Sequence, residues 1–276
     1  MAFVRRLDQK RIERLLDINT YEGKIFSSIL VPRVMTGQIF MAIRDDKVDL
    51  YVGGNCFMSF SGQSFKANPK IFGKSSTSAM VNVDRIFPLN WTDIVDDLVR
   101  QCYEYSSVNS TQAERKIIQA YFPIYENLNN KIFVLDREIR INDGTGKKCD
   151  WLLYNTETCQ LKFVEVKTGS NKDLMKRSDG TFDVSAQLDV YSRQYAEHSD
   201  EIVTQYGKYI EILNKLLGLH FDKPKGLLDT KAGLAVFAGN QEIDKDLIRL
   251  ENPFIGIYQP SVSASLTDIW NHFANH

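Results

Sequence analysis

The run Phe163-Val164-Glu165-Val166-Lys167-Thr168-Gly169 alternates polar and apolar residues. Successive side chains of a strand point to opposite faces, so Glu165 and Lys167 share one face while Val164 and Val166 share the other. One face is core, and the other sets a carboxylate beside an ammonium. Fifteen residues before Glu165, Cys149-Asp150-Trp151-Leu152-Leu153-Tyr154 puts a second carboxylate on the preceding strand. The connection Asn155 to Cys159 is short enough for a hairpin, which brings Asp150 and Glu165 side by side. Two converging carboxylates near a lysine suit a hard divalent cation such as Mg²⁺, which prefers oxygen ligands and keeps several waters. Such an ion polarises a phosphoryl oxygen, activates a bound water and stabilises charge on a leaving oxygen. Lys167 would orient that water, or take its proton if the site lowered its pKa.

Asp150 with Glu165-Val166-Lys167 resembles the PD-(D/E)xK nuclease superfamily, whose signature is an acidic residue on one strand and Glu or Asp, any residue, then Lys on the next. Two further segments strengthen the resemblance. Glu114 falls on a helix upstream of the strands, where many members carry an acidic residue. Gln187-Leu188-Asp189-Val190-Tyr191 is similar to the Gln-x-x-x-Tyr element of the RecB-like branch, and its two ends lie on one helical face. The resemblance covers roughly residues 108–200. It lacks the proline before the first acidic residue, where Cys149 stands. The last cysteine is Cys159, so the C-terminal cysteine cluster of the iron-sulfur variants is absent.

The resemblance implies a restriction-endonuclease-like α/β fold, a mixed sheet flanked by helices, and a Mg²⁺-dependent nuclease in which Mn²⁺ can substitute. Asp150, Glu165 and the Val166 carbonyl would ligate the ion, with Glu114 as a fourth ligand. Lys167 would position the water, and Gln187 and Tyr191 would orient Lys167 or the nucleic acid backbone. Products would end in 5′-phosphate and 3′-hydroxyl. By the same resemblance the expected activity is that of a DNA endonuclease in restriction, phage defence or DNA processing. An RNA- or single-strand-specific effector on the same core, or a catalytically silent nucleic-acid-binding or assembly module, are the alternatives. Homodimers are common in the superfamily, since two copies cut two strands. No Gly-x-x-x-x-Gly-Lys-Ser/Thr loop is present, so an ATPase motor or defence-complex partner would be a separate chain.

Each residue has a plainer reading. Glu165 and Lys167 can be a cross-strand ion pair on a solvated face, and Asp150 a strand-end aspartate. Thr111-x-x-Glu114 is also a capping box. Gln187 and Tyr191 can line an amphipathic helix whose inner face is Val184, Leu188, Tyr191 and Tyr195. Lys147, Lys148, Lys162, Lys172, Lys176 and Arg177 surround the site in sequence and are expected to contact phosphates; a solvated charge run is the alternative.

The elements that must carry these residues follow from residue patterning. Residues 8–18 read as a short amphipathic helix. From 24 to 88 the texture is β-rich, with strand-like runs at Lys24 to Val31, Gln38 to Arg44, Lys47 to Val52, Asn55 to Phe60 and Met80 to Phe87, a tight turn at Asp45-Asp46, and a mobile loop at 61–76. Helices follow at Trp91 to Tyr105 and Thr111 to Tyr121, then strands at Lys131 to Ile141, Lys148 to Asn155 and Gln160 to Thr168. Helices at 182–197 and 200–217, strands at 233–238 and 254–258, and a helix near 264–274 complete the chain. This divides it into an antiparallel β-rich region, 1–90, for target or partner binding, and an α/β nuclease domain, 91–276.

Composition narrows the setting. The 276 residues are 43% hydrophobic and 25% charged, which excludes a disordered or fibrous chain. Thirty-four basic against thirty-five acidic side chains give a net charge of −1, so phosphate recognition must be local rather than global. The four cysteines lack Cys-x-x-Cys spacing, against a zinc ribbon or redox pair. No run approaches the roughly eighteen apolar residues of a membrane span, and the start lacks a secretory apolar segment; the expected location is cytoplasmic, away from membrane.

Overall fold

The computed structural model describes residues 3–69, 80–83, 95–97, 99–100, 112–127, 129–141, 148–238, 242–250, 254–257 and 264–275. It is an α/β protein with one antiparallel and one mixed sheet. Two compact units divide it: 4–128 with 207–221, and 1–3 with 129–206 and 222–276. The division differs from the boundary expected at residue 90, because the helix Gln112–Ala120 and the second half of a later helix belong with the N-terminal sheet.

The first unit begins with α1 (Gln9–Leu16), capped by Asp8, whose carboxylate accepts from the Arg11 amide at 2.8 Å. The run expected as a strand at Lys24 to Val31 is instead helical: α2 (Tyr21–Ile25), a π-turn (Phe26–Leu30) and α3 (Val31–Met35). Thr20 caps this segment by accepting from Gly23 N–H at 3.0 Å, and Phe26, Ile29, Leu30 and Val34 are buried at helical spacing. Local capping and the three-to-four-residue burial override the β-propensity of a short apolar run.

The meander follows: β1 (Phe40–Arg44), β2 (Lys47–Val52), β3 (Asn55–Ser61), β4 (Ser64–Ala67) and β5 (Val81–Asn82), neighbours in that order and all antiparallel. Arg44 pairs with Lys47 around the Asp45-Asp46 turn, with Asp46 at φ 52°. The loop expected at 61–76 contains β4, turned at Gly62 with φ 66°; the rest of it, 70–76, lies outside the described residues. One sheet face carries Met41, Ile43, Val48, Leu50, Met58, Phe60, Phe65 and Ala67, all buried. Phe26, Phe40, Tyr51, Phe57, Phe60 and Phe65 are buried, as a small core requires; Phe72 lies outside the described residues. α4 (Gln112–Ala120) matches its expected span. Of the helix expected at Trp91 to Tyr105, residues 95–97 and 99–100 are helical and the rest is outside the description.

The second unit is built on β6 (Ile132–Ile139), β7 (Cys149–Asn155), β8 (Gln160–Thr168), β10 (Gly233–Phe237) and β11 (Phe254–Ile257), in the sheet order β11-β10-β8-β7-β6, with the short β9 (Gly226–Leu227) against β8. β6, β7 and β8 are antiparallel; β8, β10 and β11 are parallel. α5 (Asp183–Glu197) covers one face through Tyr195, whose ring stacks on Phe163 at 3.9 Å. α6 (Ser199–Leu217) and α7 (Lys245–Leu250) follow in sequence. α8 (Leu266–Ala274) covers the other face, its Phe273 ring within 2.9 Å of where a Cβ on Gly233 would stand. Only a glycine admits that approach. Among the described residues no helix is long and apolar enough to cross a membrane.

Candidate active site on the β7–β8 hairpin

The hairpin forms as its sequence demands. Trp151 pairs with Val164 and Asn155 with Gln160, so one further step of the same register sets Asp150 opposite Glu165. The Asn155 side chain accepts from the amides of Glu157 and Thr158 at 2.9 and 3.2 Å, which closes the connection.

Asp150 and Glu165 stand on adjacent strands, on the face covered by α5. Asp150 Oδ2 accepts from the Val166 amide at 2.9 Å. A strand residue sends its N–H and C=O to the same side, so the Val166 carbonyl also faces the side from which Asp150 reaches. Lys167 Nζ donates to Glu165 Oε1 at 2.5 Å. Both side chains are buried, Glu165 1% and Lys167 7% exposed, which removes the solvated-face reading of this pair. Burial raises the Asp150 pKa above the ordinary carboxylate range; Lys167, the Val166 amide and Arg137 pull it back down.

α5 supplies the rest. Gln187 Nε2 donates to Glu165 Oε1 at 2.8 Å and to the Tyr191 hydroxyl at 2.7 Å, and Tyr191 donates to the Lys148 carbonyl. The four-residue spacing therefore places both side chains on the site face, and Tyr191 ties the start of β7 to α5. Burial drives the Tyr191 phenol pKa upward, with Glu165 adding to it; the hydroxyl keeps its proton and donates.

The two carboxylates and one carbonyl are an all-oxygen donor set, the number of protein carboxylates a Mg²⁺ site uses when waters and substrate phosphate complete it. That set fits a hard divalent cation. Among the described residues no three His, Cys, Asp or Glu side chains converge. Glu114 lies on α4, in the other compact unit, and its side chain is outside the described residues; Thr111 and Lys147 are outside them too.

The basic residues divide. Lys148 and Lys172 are exposed. Lys176 pairs with Asp246 at 2.5 Å and Arg177 with Asp183, all four well exposed; exposed pairs of this kind exchange readily with solvent or another anion. Lys162 is not a phosphate contact. It is 0% exposed and donates to both carboxylate oxygens of Asp229, at 2.7 and 2.6 Å, and to the Lys231 carbonyl at 2.9 Å. Its place on β8 gives it the parity of Val164 and Val166, hence the opposite face from Glu165.

Sequence reasoning passed over Arg137 and Glu138 on β6. Arg137 is 2% exposed and acts on Asp150, and Glu138 pairs with Arg137 at 3.3 Å and with Lys148 at 3.1 Å. The signal was weak, because the pairing of β6 with β7 shifts register between Val134 and Asp136, which no spacing rule foretells.

Compared with protein-family models, curated proteins and solved structures, the chain matches none.

Proposed function

We propose that the chain is a Mg²⁺-dependent nuclease with a restriction-endonuclease-like core, acting as a DNA endonuclease in restriction, defence or DNA processing. The observation that carries this reading is the convergence of Asp150, Glu165 and Lys167 on one sheet face, with Gln187 and Tyr191 bonded into the same network. Two carboxylates brought together on one sheet face favour a cation beside them, and the site already draws Lys167 and Arg137 towards Asp150.

Asp150, Glu165 and the Val166 carbonyl would hold the ion. When bound it would supply an activated water and charge stabilisation at the phosphoryl group. Lys167 is held against Glu165 and would place its ammonium beside the attacking water and the phosphate oxygens. Gln187 fixes the Glu165 oxygen, and Tyr191 fixes Gln187. In-line attack forms a new P–O bond as the P–O3′ bond breaks; the leaving oxygen takes a proton, giving 5′-phosphate and 3′-hydroxyl ends. A partner ATPase and a homodimer belong to this reading as expectations.

The test is cleavage of closed circular DNA, linear duplex, single-stranded DNA and RNA in Mg²⁺, with and without EDTA. Cutting of the circle that EDTA stops, loss of cutting in Lys167→Ala and retained binding by that variant are expected. Preference for RNA or single strands would move the substrate class. No metal-dependent cutting of any substrate, or equal cutting by Lys167→Ala, would overturn the reading.

A further inference from the structure

Glu138 occupies the site face at a local cost. It lies in β6 with φ 50°, a left-handed conformation that non-glycine residues rarely adopt within a strand. In the register that joins Arg137 to Trp151 and Ile139 to Cys149, Glu138 falls opposite Asp150. The left-handed turn of the backbone there breaks the regular alternation of β6, so the contacts of Glu138 rather than parity say where its side chain lies. Like charges set opposite one another on a sheet disfavour the fold. Strain and repulsion meet at one residue, which is the pattern of a functional position.

The contacts of Glu138 indicate its use. Its Oε2 accepts from Lys148 Nζ at 3.1 Å, and its Oε1 from Arg137 at 3.3 Å. Lys148 directly precedes β7, two residues before Asp150. The Lys148 carbonyl is the acceptor of the Tyr191 hydroxyl. Lys148 is therefore tied at its backbone by α5 and at its ammonium by β6. The ammonium stays 44% exposed on the side-chain scale. A lysine has three N–H donors, and Glu138 takes one; an incoming phosphate oxygen can accept another without breaking the pair.

We propose that Glu138 is a positioning residue of the site: it holds the Lys148 ammonium at the rim of the Asp150–Glu165 face as a contact for the phosphodiester backbone. The inference rests on the nuclease reading for its substrate. Lys148 on a flexible four-carbon stem samples many rotamers; the Glu138 carboxylate, 31% exposed and so less exposed than Asp246 or Asp183, favours those that keep the ammonium beside it.

The test compares Glu138→Asn, Glu138→Asp, Lys148→Ala and the Glu138→Asn/Lys148→Ala double variant of the full chain. Binding of a labelled DNA duplex is followed by fluorescence anisotropy in the Lys167→Ala background across a salt series, and KM and kcat are measured with Lys167 intact. Glu138→Asn is expected to weaken binding and raise KM by roughly fivefold, the scale of one charge-assisted contact near a surface, with kcat within about twofold. Lys148→Ala should match it and flatten the salt slope by about one phosphate contact. The double variant should be no worse than Lys148→Ala, Glu138→Asp should recover most of the loss, and Glu138→Asn should melt no lower than the parent, since Asn tolerates positive φ. Multiplying effects of Glu138→Asn and Lys148→Ala, a fall in kcat at constant KM, or unchanged binding would overturn the inference while leaving the nuclease reading intact. A parent that binds duplex but cuts nothing would remove the nuclease reading alone, with the Glu138–Lys148 coupling in binding still deciding the inference. Absence of binding to duplex, single-stranded DNA and RNA alike would remove both.

Discussion

Asp229→Ala and Lys162→Met, which break the same ion pair from opposite ends, should differ sharply in cost. Lys162 is fully buried and Asp229 36% exposed. Three acceptors surround the ammonium: two Asp229 oxygens and the Lys231 carbonyl. The Phe273 ring lies 5.3 Å away. Removing the carboxylate leaves a buried ammonium with one carbonyl and a ring face, a stranded charge of the kind that costs about 3–5 kcal/mol. Removing the ammonium lets Asp229 turn to water, and methionine retains most of the volume, so the cost should stay near or below about 1.5 kcal/mol. Urea unfolding at neutral pH measures both. The pH profile supplies a second reading. Burial lowers the Lys162 pKa, and Asp229 only partly restores it. The folded chain then binds fewer protons than the unfolded chain between the lowered value and the ordinary lysine value. Stability from this group rises with pH through that window, and Lys162→Met should abolish the rise. Equal destabilisation by the two variants, or a larger cost for Lys162→Met, would refute the assignment of Lys162 as a buried structural charge.

Tyr191→Phe removes the donor to the Lys148 carbonyl and the acceptor of Gln187 but keeps the ring beside Tyr195; kcat/KM should fall about tenfold with near-ultraviolet circular dichroism unchanged, and an unaltered kcat/KM would deny the network its role. Gly233→Ala sets a methyl 2.8 Å from the Phe273 ring, an overpacking expected to cost about 1–3 kcal/mol. Thermal melting reads it, and an unshifted midpoint would contradict the packing of α8 on β10.

The site was legible where local rules suffice. Alternation along Phe163 to Thr168 placed Glu165 and Lys167 together, and the short connection to Asn155 placed Asp150 opposite. The helical spacing of Gln187 and Tyr191 likewise set them on the site face. The misreading of Lys162 came from counting charges near the site rather than applying strand parity, which already assigned Val164 and Val166 to the opposite face. Segment 24–31 failed for a different reason: Ile25, Phe26, Ile29, Leu30 and Val31 suit a strand or a helix equally, and the Thr20 cap that decides between them lies outside the run. Ser64–Ala67 was hidden by its Gly and Ser neighbours, although Gly62 supplies the turn that makes a hairpin of it. Glu138 and Arg137 were out of reach because a register shift in β6 sets their positions.

Mn²⁺ binding to the metal-free protein, measured by calorimetry on the parent, Asp150→Asn, Glu165→Gln and Lys162→Met, tests most directly whether two strand carboxylates share one cation. One site in the parent and in Lys162→Met, lost in both carboxylate variants, is expected. Mn²⁺ bound with the same affinity and stoichiometry by all four proteins would contradict it.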